Sequence, residues 1–370
     1  MRIREILFHN FRSFRGERRI SFVDPVTDTV RPLTVLAGSN GSGKTSVLEA
    51  IEALLSFALN LSSSNELISE AQQTGLILLT LEFDRHEISE LEGDKLYKDD
   101  ASLKRMHIGV GRRELASLMP EADYSFFKSD TKRQTSNAQI EQFRRMVSRQ
   151  QESESKLHGG LLFFPHDRRI AKNRGGALES PKDKPRWLFR FTSSDKWKGS
   201  LEQLWVWQDY LDLGKSRLEP FEPLNQDNLK PFVESVEEVL GSDRQITTSE
   251  GRVLVPVGWK DEHGESPQVR LDQLPSGEQQ VLLLFGELAR RRRPGAVIAI
   301  DELENSLHPT LQRLAMWNLA RLAREWEAQI IVTTHSLEVI NSVRGGAFIN
   351  LDYPRDRFNL SVPELEEAPA

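Results

Sequence analysis

Residues 38–45 read Gly38-Ser39-Asn40-Gly41-Ser42-Gly43-Lys44-Thr45, a complete G-x-x-x-x-G-K-[ST] spacing. The spacing has a mechanism. The glycines let backbone N–H groups close around phosphates, the lysine reaches the β- and γ-phosphates, and the threonine hydroxyl ligates Mg²⁺. The flanks agree. Leu33-Thr34-Val35-Leu36-Ala37 reads as a short apolar strand entering the loop, and Val47, Leu48, Ile51, Leu54, Leu55 and Ala58 follow at helical spacing. Strand, loop and helix together place the phosphates at a helix N-terminus, where the dipole and free N–H groups favour anions. The loop implies a nucleoside triphosphate and leaves open what its hydrolysis would serve.

Working outward, the last third of the chain is the next most ordered part. Ser276-Gly277-Glu278-Gln279 reads as a capping box opening a helix through Leu288, with Ser276 accepting from the Gln279 N–H. Arg290 to Arg293 end that helix, where cations complement the dipole. Ala296 to Ile300 is a continuous apolar run closed by Asp301-Glu302; Pro309 starts a second helix; Ile330-Ile331-Val332 is another apolar run closed by Thr333-Thr334-His335-Ser336. Strands apolar on both faces and alternating with helices indicate a parallel sheet covered on both sides. Ligands of such sheets bind beyond the C-terminal ends of the strands, which is where Asp301, Glu302 and His335 fall. Asp301 can hold Mg²⁺, Glu302 can orient or deprotonate a water aimed at the γ-phosphate, and His335 can donate to a phosphate oxygen.

The N-terminal stretch Arg2 to Gly16 has strand-like apolar positions at Ile3, Ile6, Phe8, Phe11 and Phe14, with Arg19 to Val23 as a partner strand and Leu76 to Phe83 as another. The middle is less legible. Asn137 to Lys156 and Pro231 to Leu240 read as amphipathic helices, Leu161 to Phe164 as a strand, and Lys172 to Lys184 as a loop. Four of the seven tryptophans fall between Trp187 and Trp207 and read as the packing of a small helical lobe. From Lys128 to Lys198 there are 17 Lys and Arg against 8 Asp and Glu, on a chain of net charge −6. Such a segment is either a solvated helical face or a surface for DNA or RNA.

The 370 residues, 38% hydrophobic and 28% charged, are ample for a buried core. With no cysteine, disulfides and thiolate chemistry are excluded. The start lacks a signal-peptide apolar core, and no run of about 18 apolar residues exists to cross a membrane. A cytoplasmic, membrane-free protein is expected.

Taken in order, the phosphate loop, Leu274 to Gln280, Ile300-Asp301-Glu302, Glu304-Asn305-Ser306-Leu307-His308-Pro309 and Thr334-His335-Ser336 resemble the ABC-type ATPase heads of the RecF, SMC and OLD group, including the PtuA-like ATPases of anti-phage defence. Phe11-Arg12-Ser13-Phe14 resembles the opening of those heads. The motifs cover roughly residues 1–85 and 270–345. The resemblance implies an α/β fold: an ABC-type P-loop ATPase head with a mostly parallel central sheet, an N-terminal antiparallel β part and an inserted helical lobe. It divides the chain into 1–85, the first half of the core; 86–270, the inserted basic lobe; 271–350, the second half; and 351–370, a tail. It implies that Asn40, Gly41, Ser42, Gly43, Lys44, Thr45 and Ser46 hold ATP, that Thr45 and Asp301 hold Mg²⁺, and that Glu302, with Lys44 and His335, carries hydrolysis. Ser276, Gly277 and Glu278 would reach the nucleotide of a second subunit, so that a homodimer closes over two ATP molecules, with Asn305 to His308 as the D-loop at the dimer contact.

Three features depart from the group. Asp-Glu-Pro-Glu, common among OLD-type relatives, is here Asp301-Glu302-Leu303-Glu304, which leaves both carboxylates. The Q-loop glutamine has no clear counterpart, His166-Asp167-Arg168-Arg169 being candidates for its place. Asp301 lies 257 positions after Lys44, which suits a modest insertion, and no segment after residue 345 is long enough for a nuclease domain. The output is therefore expected to pass to a separately encoded effector, such as a nuclease, in anti-phage defence or DNA repair. The alternative is an ATPase acting directly on DNA ends or structures through its basic insertion.

Overall fold

The computed structural model describes residues 1–61, 65–83, 87, 105–112, 115, 124–127, 138–152, 157–170, 172, 177, 179–180, 186–193, 200–218, 241, 246–257, 259–343 and 348–352. The helix expected over 231–240, the acidic tail, most of the loop 172–184 and part of the basic stretch 128–198 lie outside them.

Strand β1 (Arg2–Phe11) pairs antiparallel with β2 (Phe14–Ser21). Two further sets of strands then form. The phosphate loop hangs from β3 (Leu33–Ala37), which leads into α1 (Lys44–Ala58); α2 (Asn65–Thr74) and β4 (Leu76–Glu82) follow. Strand β4 pairs antiparallel with β1 and with β5 (Arg105–Gly111), and β6 (Tyr124–Phe127) lies parallel to β5. The first sheet thus runs β2-β1-β4-β5-β6.

After α3 (Ala138–Glu152), the chain enters the second sheet through β7 (Leu161–Phe164) and β8 (Leu188–Arg190). Helix α4 (Leu201–Leu218) packs with a small antiparallel sheet of β9 (Thr247–Ser249), β10 (Arg252–Pro256) and β11 (Gln268–Arg270). Then come α5 (Ser276–Arg290), β12 (Val297–Ile300), α6 (Pro309–Glu325), β13 (Gln329–Thr334), α7 (Leu337–Asn341) and β14 (Phe348–Asn350). The second sheet has the order β14-β3-β13-β12-β7-β8 and is parallel at every pairing. The expected mixed architecture, a parallel central sheet beside an N-terminal antiparallel one, is present. The insertion adds the three-stranded sheet, which periodicity did not announce.

Alternation along the central strands decides what covers each face. Leu161, Phe163, Val297, Ala299 and Ile331 point to one core, where α1 is sandwiched between the two sheets; Leu162, Phe164, Ile298, Ile300, Ile330 and Val332 point to the other, covered by α5, α6 and α7. Both faces being buried is why these strands read as unbroken apolar runs. Among the described residues, no helix is long and apolar enough to cross a membrane.

Two sequence expectations change. The tryptophans do not share one lobe: Trp187 packs edge-on against Phe143 of α3 at 5.3 Å in the main core, whereas Trp205 lies in the α4 cluster. The arginines after α5 do more than face a dipole. Arg293 is buried and donates to the carbonyls of Leu161, Arg186 and Trp187, and Arg291 lies 3.7 Å over the Phe189 ring. Burial pushes the Arg293 guanidinium down to about 9. Sequence spacing sees the helix end but not the strand ends that dock beside it. Replacing the fully buried Trp187 with Ala removes a large aromatic from this packing; chemical denaturation is expected to show a loss of about 3–5 kcal/mol.

Candidate active site

The phosphate loop begins where β3 leaves the sheet. Gly43 caps α1 in a left-handed conformation (φ 97°) with no side chain satisfying the first N–H groups, so the helix start is free for an anion. A Cβ on Gly43 would meet Phe14 Cζ and Ser13 Oγ, each at 2.5 Å. Only glycine fits, and this contact explains the aromatic motif of the N-terminus. Phe14 stacks on Phe8 with centroids 4.3 Å apart, and Arg12 pairs with Glu49 at 2.8 Å and Glu70 at 3.1 Å. The β1–β2 turn is thereby fixed to α1 and α2 and braces the loop from outside. Asn40 and Gly41 are exposed at the loop tip, Gly41 with φ 81°. Ser42 keeps a buried hydroxyl with no hydrogen-bond partner, and Ser46 lies half-buried in the first turn of α1.

Lys44 Nζ donates to the carbonyls of Gly38 (2.8 Å) and Ser39 (2.9 Å) and lies 3.5 Å from His335 Nδ1. Burial lowers its pKa, and the surrounding carboxylates Asp352, Glu302, Glu304 and Asp301 oppose that shift. The ammonium remains the cation in a ring of acids.

Asp301 ends β12 with no solvent exposure. Thr45 Oγ1 is 3.1 and 3.0 Å from its two carboxylate oxygens, Thr333 Oγ1 donates to Oδ1 at 2.6 Å, and His166 Nδ1 lies 3.3 Å from Oδ2. The structure therefore brings the two expected metal-binding residues into contact across 256 positions of sequence. Their donors, a hydroxyl and a carboxylate, are the hard oxygens Mg²⁺ takes beside phosphate oxygens, so the residues fit that ion.

Glu302 follows at φ 48°, a conformation that costs a side-chain-bearing residue about 1 kcal/mol or more. It is held there from two sides: its N–H donates to Thr333 Oγ1 at 2.8 Å and its carbonyl accepts from Arg168 Nη2 at 3.0 Å. Asp301 is buried whereas Glu302, next to it, is half-buried.

Two further residues of the site, Glu304 and Asp352, had no role assigned from the sequence, and Arg168 was only one of four candidates for the Q-loop place. Arg168 is 2% exposed and donates to the carbonyls of Pro165, Asp301 and Glu302. Burial brings it down to about 10, with Asp301, Glu304 and Glu302 holding it up, so it stays charged and balances their carboxylates. Glu304 accepts from Thr334 Oγ1 at 2.7 Å and from the His335 N–H at 2.5 Å, fixing the end of β13 that carries His335. Asp352, just past β14, accepts from the Ser39 N–H and hydroxyl at 2.8 and 2.7 Å. These bonds hold its carboxyl below the usual range. It falls in the stretch 351–370 read from sequence as a tail, and the apolar pair Phe348-Ile349 of β14 before it is the available signal.

Ser276 is exposed at the start of α5, and Gly277 packs against the 305–308 segment of its own chain, where a Cβ would lie 2.8 Å from the Ser306 carbonyl. Glu278 is half-buried in the first turn. The capping box differs from expectation: Pro275 is the cap, its carbonyl accepts from the Gln279 N–H, and the Gln279 side chain turns back to the carbonyls of Asp272 and Leu274. Ser276 is thereby left unspent. Gln280 donates to the Arg168 carbonyl at 2.8 Å and Asn305 to the His166 carbonyl at 2.7 Å, so both α5 and the 305–308 segment touch the segment that supports Asp301. Of the arginines in the basic stretch, Arg144 pairs with Glu141 and donates to the Ala58 carbonyl, and Arg190 lies over Phe163 and near Glu52; like Arg168, they are engaged within the protein.

Residues 33–341 match the sequence model of the family described as "AAA domain, putative AbiEii toxin, Type IV TA system". Comparison with curated protein sequences gave no match. Solved structures similar to this chain include an SMC head bound to the C-terminal winged-helix domain of ScpA (TM-score 0.49, 12% identity, 95% of this chain and 94% of that one). Another is an SMC head with an extended coiled coil bound to the C-terminal domain of ScpA derived from Pyrococcus furiosus (0.48, 12%, 94% and 92%). A third is the SMC head domain from Thermotoga maritima (0.42, 12%, 93% and 92%).

Replacing Arg168 with Met keeps most of its volume but removes the charge that balances the acid cluster. Urea denaturation at neutral pH is expected to show a loss of about 3 kcal/mol, the scale for breaking a buried ionic arrangement by removing one partner.

Proposed function

The chain belongs to the AAA-domain family matched over residues 33–341 and is an ATP-binding ATPase, and on that premise we propose that it is a dimeric switch driven by ATP binding and hydrolysis. The observation that carries the reading is the meeting of Thr45, Asp301 and Glu302 beside the phosphate loop, at the C-terminal edge of one parallel sheet. In this reading the N–H groups of Asn40 to Ser46 and the Lys44 ammonium hold the phosphates. Thr45 and Asp301 hold Mg²⁺, which when bound neutralises charge on the phosphate oxygens. Glu302 positions and deprotonates the attacking water, and His335 donates to the γ-phosphate.

Ser276 and Gly277 support the second half of the reading. They sit beside the D-loop of their own chain, with the Ser276 hydroxyl exposed. We assign them, with Glu278, to the nucleotide of a second copy, so that two heads close over two ATP molecules and reopen after hydrolysis. The chain would pass this change to a separate effector, and the toxin–antitoxin wording of the family description favours a defence setting over DNA repair.

Glu302→Gln keeps the shape of the site and removes the base. ATP binding is expected to persist, turnover to fall about 10²–10⁴-fold, and a dimer to accumulate with ATP but not with ADP, read by light scattering on a sizing column. Normal turnover in this variant would remove Glu302 from the base role.

A further inference from the structure

Away from the nucleotide site, one buried cation has no partner. Arg31, two residues before β3, is 8% exposed. Its Nε has no hydrogen-bond partner, and among the described residues no carboxylate pairs with its guanidinium. Burial lowers its pKa; Asp24 opposes that shift, but Asp24 Oδ1 already accepts from the N–H groups of Val26 (2.8 Å) and Thr27 (3.1 Å). A charge withdrawn from water in this way is costly unless an anion meets it.

Arg31 lines a groove of about 1190 Å³ between α6, α7 and the approach to β3. The α6 wall is apolar and open to solvent: Leu314 is 37% and Trp317 59% exposed. Arg313 and Arg324 stand in the same wall. Arg324 is exposed and makes no ion pair among the described residues, and Arg313 pairs with Glu338 of α7 at 3.3 Å with both side chains in solvent, a contact worth little and easily exchanged. Three arginines thus face two carboxylates, Asp24 and Glu338. The groove suits a segment that is apolar along its length and carries several acids.

We propose that the segment 358–367 of this same chain docks in the groove between α6 and α7, placing a glutamate on Arg31. Its sequence, Phe358-Asn359-Leu360-Ser361-Val362-Pro363-Glu364-Leu365-Glu366-Glu367, alternates apolar residues and then supplies three glutamates, with no lysine or arginine. Reach is not limiting. Asp352 is held at the far end of β3 by Ser39, while Leu33 at the near end of β3 lines the groove, a separation of about 17 Å along the strand. Glu364 lies 12 positions after Asp352, about 40 Å at full extension. A tethered segment also meets its site at an effective concentration in the millimolar range, which favours it over a free peptide of the same chemistry. The α7 wall begins two residues after His335, so an occupant of the groove lies against the helix that follows the end of β13.

The test places the photo-crosslinker p-benzoylphenylalanine at Leu314 in the full chain, irradiates an equal mixture of ¹⁵N-labelled and unlabelled protein, and maps the crosslinked peptides by mass spectrometry. Crosslinks from position 314 to residues 358–367 of the same chain are expected. Their yield should fall about tenfold in Arg31→Met, the scale of one lost charge-assisted hydrogen bond, and in the double variant Glu364→Lys, Glu366→Lys, which leaves every described residue unchanged and so decides the matter if Arg31→Met fails to fold. Absence of crosslinks to 358–367, crosslinks only between labelled and unlabelled chains, or a yield untouched by the double variant would overturn the proposal.

Discussion

The Asp301 carboxylate is withdrawn from solvent at the end of β12, where an unpaired ionised group would cost several kcal/mol. Four side chains from three parts of the chain make its burial tolerable: Thr45 at the start of α1, Thr333 near the end of β13, and, after β7, His166 and Arg168, the latter donating to its backbone carbonyl. Each can reach it only if β12 lies between β7 and β13, and Thr45 only if β3 lies beyond β13. That is the observed strand order. The parallel sheet is thus the arrangement that satisfies one buried charge, and the site is a consequence of the same order.

Arg168 extends this dependence outward. It holds the carbonyls of both Asp301 and Glu302, while its own carbonyl accepts from Gln280 of α5 and the neighbouring His166 carbonyl accepts from Asn305 of the D-loop. In the proposed dimer, α5 and the D-loop are the surfaces a second copy would meet. A shift there acts on the backbone of Asp301 and Glu302 through two hydrogen bonds and one buried cation. The left-handed Glu302, pinned from both sides, is the element such a shift would move.

Much of this was legible in the sequence because the informative pieces are local. The phosphate loop is eight consecutive residues, and β3, β12 and β13 are apolar runs ending in Gly, Asp and His, so the strand ends name Lys44, Asp301, Glu302 and His335 directly. What stayed hidden is set by long-range approach. Phe14 matters because it touches Gly43, Asp352 because β14 returns beside β3, and Glu304 because β13 ends against it. Phe14 and Glu304 stand in motifs the sequence does show, but no spacing reveals any of these three contacts. Trp187 and Arg293 looked like parts of a lobe and a helix end until β7 and β8 were seen to join the central sheet. The middle strands are short and separated by polar stretches, so periodicity could not show where they dock.

The central claim is that one subunit's phosphate loop works with another's Ser276. Mixing two inactive variants tests it most directly. Lys44→Ala lacks the loop cation but keeps the signature, and Ser276→Arg keeps the loop but blocks the signature. Alone, each is expected to have negligible ATP turnover. Mixed in equal amounts, they form dimers with one intact composite site, and a substantial fraction of the wild-type turnover is expected to return. Ser276→Arg turning over ATP normally by itself, or a mixture that stays as inactive as its parts, would contradict the account.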